Sequence, residues 1–168
     1  MRSAILLIPL ALGACVATPR LDRAGPAATP FSPQLFFAGR TEGDGTLRKI
    51  LSKPDHVLVH GSGRIDPDGV LVVDQIVLDG AKPPKHRAWR IREIAPGRYA
   101  GTLSDAAGPI AGEASGNRLH LHFRMKSGLD AQQWLTLAPD RRSAHNIMRI
   151  HKLGILVASL DETIRKVD

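Results

Sequence analysis

Arg118-Leu119-His120-Leu121-His122-Phe123-Arg124-Met125-Lys126 alternates without a break. Leu119, Leu121, Phe123 and Met125 fall on one side of an extended chain, with His120, His122, Arg124 and Lys126 on the other. A helix would scatter these residues around its circumference, whereas a strand separates them cleanly. Gly116-Asn117 precedes the stretch and Ser127-Gly128 follows it, and both pairs suit turns because Gly and Asn tolerate positive φ. The stretch therefore predicts a half-buried strand bounded by tight turns.

Read outward from it, the chain repeats the same grammar. Candidate strands are Thr46–Leu51, His56–Ile65, Val70–Leu78, His86–Ile94, Arg98–Leu103, Ile110–Gly116, Arg118–Lys126, Ala131–Leu137, Ala144–Lys152 and Ile155–Ser159. Turn residues at Lys53-Pro54-Asp55, Asp66-Pro67-Asp68-Gly69, Asp79-Gly80 and Pro96-Gly97 separate the earlier ones. His86–Ile94 places Trp89 and Ile91 opposite Arg90 and Arg92, and Val70–Leu78 is apolar on both faces except at Asp74 and Gln75. Turns at such short intervals mark an all-β sandwich or barrel. Closure removes the two edges an open sheet would leave. The expected fold is an antiparallel lipocalin-like β-barrel of about nine or ten strands, with a sandwich second. The last segment has two readings. Ser159-Leu160-Asp161-Glu162 fits a capping box and Leu160, Ile164 and Val167 fit a short C-terminal helix. A final strand running on through Asp161 is preferred.

The N-terminus carries an address. Arg2, an apolar run from Ala4 to Leu12, then Leu12-Gly13-Ala14-Cys15 has the order of a bacterial lipoprotein signal. The run is about half of the roughly 20 residues a spanning helix needs, so it reads as a cleaved signal. An ordinary signal with a chance cysteine is the plainer alternative. Pro19, Pro26, Pro30 and Pro33 follow, which suggests an extended tether. The expected organisation is signal peptide 1–14, lipidated Cys15 and Pro-rich tether 15–34, and a single barrel domain 35–168. Cys15 is the only cysteine, so no internal disulfide is available. Val16 rather than aspartate follows it, which predicts the periplasmic leaflet of the outer membrane in a Gram-negative source. A formal net charge of +7 would suit nucleic acid, but an exported address argues against that partner. Anionic headgroups are the nearer match, and a solvated basic surface explains the charge as simply.

A family resemblance adds to this. Gly97-Arg98-Tyr99-Ala100-Gly101-Thr102, followed by Asp105, Gly108, Gly112, Gly116 and Asn117, resembles the signature of the DUF3833 family of bacterial lipoproteins. Phe36-Phe37-Ala38-Gly39, Arg87-Ala88-Trp89, Trp134, Asn146 and Lys152-Leu153-Gly154 are similar too, so the likeness runs from about Leu35 to the end. It implies a lipocalin-type barrel at the envelope with a hint of fatty-acyl metabolism, and no activity to transfer. This chain departs from the family pattern at Val72-Val73, Gln75, Val77, Gln132, Gln133 and Ile147, which lack the acidic, aromatic or arginine side chains that resemblance would place there.

The chemistry offers several candidates. Trp89, Ile91, Tyr99, Leu121, Phe123 and Trp134 could line a ligand cavity, or could equally fill a barrel core. Asn146, in phase with Met148 and Ile150, is the expected polar group inside the lumen, for ligand orientation or plain core satisfaction. His120-x-His122 has metal-like spacing, with His56 and His60 as a second pair, but Arg124 and Lys126 share the face and would repel a cation. No metal or cofactor is expected. Asp105 with Ser104 lacks a Gly-x-Ser-x-Gly elbow, and Gly61-Ser62-Gly63 lacks the strand–loop–helix setting of a phosphate cradle. The leading expectation is a non-enzymatic periplasmic lipoprotein that binds or shields a small apolar, lipid-derived ligand. A ligand-free envelope scaffold acting through its basic face is the alternative, and an enzyme on lipids using Asp105 the third.

Overall fold

Alternating runs joined by short turns make each strand the antiparallel neighbour of the next. In the computed structural model, which describes residues 16–26 and 30–168, ten such strands close on themselves. They are β1 (Gly39–Lys49), β2 (Asp55–Ile65), β3 (Leu71–Asp79), β4 (Lys85–Ala95), β5 (Arg98–Leu103), β6 (Ile110–Ser115), β7 (Arg118–Arg124), β8 (Asp130–Leu137), β9 (Ser143–Lys152) and β10 (Ile155–Lys166). The fold is the expected lipocalin-like antiparallel barrel. Cys15 and the signal segment lie outside the described residues.

Two details differ from the sequence reading. No C-terminal helix forms, because β10 runs from Ile155 to Lys166 and pairs with both β9 and β1. Ser159–Glu162 coiled as a helix would leave those two neighbours with open edges. Strand β1 also starts at Gly39 rather than Thr46, and Ile50 and Leu51 fall in the following turn. Its inward positions Thr41, Gly43 and Gly45 carry no apolar side chain, so hydrophobic alternation could not reveal them.

The barrel has two unlike ends. The turns after β1, β3, β5, β7 and β9 gather at one, here the hairpin end. The other is covered by α1 (Pro33–Phe37), a single turn that starts at N-cap Ser32 with proline next to it. Phe31 and Phe36 are buried there with ring centroids 5.5 Å apart.

Residues 16–26 have no regular secondary structure, yet they are strapped to the outer wall. Ser159 Oγ donates to Ala17 O at 2.9 Å, Arg149 to Pro19 O at 3.0 Å, and Gly25 N to Asn117 Oδ1 at 2.9 Å. The core itself begins at fully buried Phe31, ahead of Leu35. Prolines keep a chain extended and without its own ladder, so its carbonyls are free to accept from the wall.

Candidate functional site

Inward positions of seven strands and Phe37 of α1 surround a cavity of about 60 Å³ in the lumen. Its apolar lining includes Val73, Trp89, Ile91, Leu121, Met148 and Ile164. Gln75, Arg87, Gln133, Asn146 and Glu162 supply the polar part.

The expected site residues divide. Trp89, Ile91, Leu121 and Asn146 line the cavity. Tyr99 and Phe123 are buried in the surrounding core without lining it, Phe123 edge-on to Trp89 at 5.6 Å. Trp134 is a correction: it faces outward. Ala131, Gln133, Leu135 and Leu137 hold the inner phase of β8, so Trp134 falls on the outer wall. There it stacks on His120 at 4.8 Å, with the Arg149 guanidinium 5.3 Å above the ring.

Asn146 is 1% exposed and donates from Nδ2 to Glu162 Oε2 at 2.6 Å. Glu162 is 4% exposed, and burial pushes its carboxyl pKa up, with Asn146 and the charge of Arg87 acting the other way. Room for the carboxyl comes from across the ladder: a Cβ on Gly43 would stand 2.0 Å from Glu162 Oε1. Two buried acceptors, Asn146 Oδ1 and Gln133 Oε1, have no hydrogen-bond partner among the described residues. Trp89 Nε1 is satisfied by Gln75 Oε1 at 2.8 Å. Sequence reasoning missed Glu162 and Gln133 as lumen groups. Phase finds Gln133, which sits two residues from inward Leu135, whereas the segment holding Glu162 fits a helical period as well as a strand.

Because the folded state raises the Glu162 pKa, the unfolded chain loses that proton first. Stability from this group is greatest in acid and falls as pH rises from the ordinary glutamate value to the raised one. Urea midpoints measured between about pH 4 and pH 8 should therefore decline in the native protein and flatten in Glu162→Gln. Asn146→Ala removes the carboxyl's hydrogen-bond donor and should cost about 2 kcal/mol.

Asp105 sits where the family resemblance points, but it is held by two cations. Arg87 Nε lies 2.8 Å and Lys85 Nζ 2.7 Å from Asp105 Oδ2. Burial acts against the charge, and these two partners outweigh it, lowering the pKa. A carboxylate so committed is a poor proton acceptor and a good pin for Arg87 at the lumen.

The histidines do not converge. His120 is engaged by Trp134 and by Gln132 Oε1 at 3.2 Å, while His56 and His60 face Asp44 and Glu42 across β1. Among the described residues, no three His, Cys, Asp or Glu side chains are grouped as a metal site would need. His145 has a different place, between Asp22 Oδ2 at 2.6 Å and Asp161 Oδ1 at 2.8 Å. Burial lowers its pKa, but the hydrogen bonds to Asp161 and Asp22 dominate and raise it. A raised histidine pKa stabilises below the unfolded value and is lost as pH climbs through the folded one. The strap over 16–26 should thus be held best at mildly acid pH and loosen above neutrality. Hydrogen exchange across these residues, corrected for intrinsic rate, should show that trend, and Asp22→Asn should blunt it.

A closed meander barrel with an apolar lumen and a buried polar floor defines a lipocalin-like β-barrel protein. The chain belongs to the DUF3833 family, described as a protein of unknown function, whose family model matches residues 10–166. Among solved structures it is similar to an S-type phycobiliprotein lyase from Guillardia theta, with a TM-score of 0.62 and 8% identity. That match covers 82% of this chain and 94% of the lyase, and at such identity it concerns the fold alone. No curated protein matches the chain.

Proposed function

We propose that this protein is a membrane-anchored envelope lipoprotein whose barrel binds or shields one small apolar, lipid-derived molecule. The observation that carries the reading is the pairing of apolar walls with two partnerless buried acceptors, Asn146 Oδ1 and Gln133 Oε1. Buried acceptors left unpaired are costly, and a ligand bearing a hydroxyl or amide donor would satisfy them. Size narrows the choice. A volume of about 60 Å³ is small beside the roughly 300 Å³ at which drug-sized pockets begin. The ligand is therefore the end of a slim chain, or a compact apolar group that displaces Phe37 and Met148 as it enters.

Acyl chains on Cys15 hold the protein at the periplasmic leaflet of the outer membrane in this reading. Lipids extracted from the purified protein and analysed by mass spectrometry test the ligand. A defined species should co-purify with the native barrel and be lost from Leu121→Trp, which fills the cavity. A barrel that is empty of lipid in both would refute the proposal. Membrane fractionation tests the address. No catalytic role is assigned, in keeping with the engagement of Asp105 by Arg87 and Lys85.

The small cavity also favours a second reading, a ligand-free scaffold that works through its basic wall. Reversing the charges of exposed Arg124 and Lys126 would then abolish partner capture, and Leu121→Trp would not.

A further inference from the structure

The left-handed backbone positions of the barrel are unevenly filled. At the covered end, Gly69, Gly97 and Gly116 take positive φ in three of the turns, joined by Arg141. The hairpin end uses Gly80, Gly128 and Gly154 in the same way, but it also holds Leu51 at φ 57° and Leu153 at φ 50°. A branched side chain is strained in this region, which is why Asn-Gly is favoured where both central residues of a hairpin are left-handed. Leu153-Gly154 stands at such a pair of positions.

The cost is not offset by burial. Leu51 is 87% and Leu153 92% exposed, and Ile155 (64%) and Ile50 (38%) lie beside them. The two tips are neighbours, since Ile50 N donates to Val157 O at 2.9 Å across the β1–β10 seam. Each tip also carries an exposed lysine, Lys53 in one and Lys152 in the other. At this end Lys49 and Lys82 are paired with Asp55 and Asp79, and Lys85 with Asp105. Lys53, Lys126 and Lys152 make no ion pair among the described residues. Finally, the strap runs from Gly25 beside Asn117 to Ala17 beside Ser159, so its upstream direction is toward this end.

From these observations we infer that the hairpin end docks on an anionic lipid surface, with Leu51 and Leu153 inserted among the acyl chains and the free lysines at headgroup level. The inference rests on the reading of the chain as membrane-held and adds which end meets the bilayer. Burying a leucine side chain among acyl chains outweighs the turn strain each one carries. Lysines near an anionic surface add electrostatic attraction to it. Leucine at these tips serves the bilayer at the expense of the turn.

Full chain with Cys15→Ser, carrying a single environment-sensitive label on Leu153→Cys, Leu51→Cys or Asp68→Cys, tests this on vesicles. Phosphatidylcholine vesicles with and without phosphatidylglycerol are compared. Labels at 153 and 51 should shift to the blue and resist an aqueous quencher on anionic vesicles, less so on neutral ones, while the label at 68 stays wet. Equal responses at both ends, a reversed pattern, or no shift at 153 would overturn the inference. A second arm uses Leu51→Asn with Leu153→Asn. Its urea midpoint should match or exceed the native one, because asparagine suits left-handed turns. A clear loss of stability would mean that the leucines serve the fold, and would overturn the inference as well. The anchor is read separately: the mass of the mature N-terminus reports whether Cys15 is acylated, whichever end touches lipid.

Discussion

Trp89→Ala is expected to lower stability by about 3–5 kcal/mol, as large-to-small changes of buried aromatics do. Trp89 is buried on the inner face of β4, forms part of the cavity wall, and packs edge-on to Phe123 at 89° between ring planes. Such an aromatic pair adds roughly 0.5–1.5 kcal/mol to the area term. Truncation also strands Gln75 Oε1, which accepts the indole N–H. Urea denaturation measures the loss. Trp134→Ala is the natural contrast, because that ring lies on the outer wall against His120 and Arg149. Its cost should be near 1 kcal/mol or less. Since the chain has only two tryptophans, Trp134→Phe leaves Trp89 as a sole fluorescent reporter of the lumen.

Gly101→Ala is expected to be of the same severity for a different reason. Gly101 pairs with Ile91, and β4 passes so close that an added Cβ would stand 1.8 Å from the Arg90 carbonyl oxygen. The obstacle is backbone on every side, with Arg90 C at 2.9 Å and Ile91 Cα at 3.1 Å, so no side-chain rotation relieves it. The β4–β5 ladder must part, at a cost of about 3 kcal/mol or more. Gly108→Ala, also within the family signature, provides the control. Nothing lies within 4 Å of its Cβ position, and thermal melting should be unchanged. If both variants melt like the native protein, the close approach at Gly101 is not a packing constraint.

The two glycines show how far a pattern can be read. Gly101 and Gly108 look alike as residues of one motif, and only the path of β4 separates an obligatory glycine from a tolerant one. The same holds for the tryptophans. Alternation in Arg118–Lys126 placed Leu121 inside correctly, because apolar and charged residues there take strict turns. In β8 the phase is carried by Ala131, Leu135 and Leu137, with Gln133 among them. As an aromatic, Trp134 reads as a cavity-lining or core residue, whereas phase puts Gln133 inside and Trp134 on the outer wall. Asn146 was legible because β9 surrounds it with apolar residues in a clear register. Glu162 was not, since the segment holding it satisfies a helical period as well as a strand.

What the chain determines by itself is local: strand periodicity, turn positions, and with them an antiparallel meander of about ten strands. Local chemistry suffices there because side-chain alternation and turn residues act within a few positions of each other. Tertiary structure decided the rest. Pairing of β10 with β1 resolved the helix–strand ambiguity, as only closure satisfies both ladders. It also set Gly45 opposite Glu162 and left Gly43 open beside its carboxyl, so that a carboxyl could be buried in a lumen where no stretch of sequence announces it. Gly43 and Glu162 stand more than a hundred positions apart in the chain, and such a contact carries no local signature.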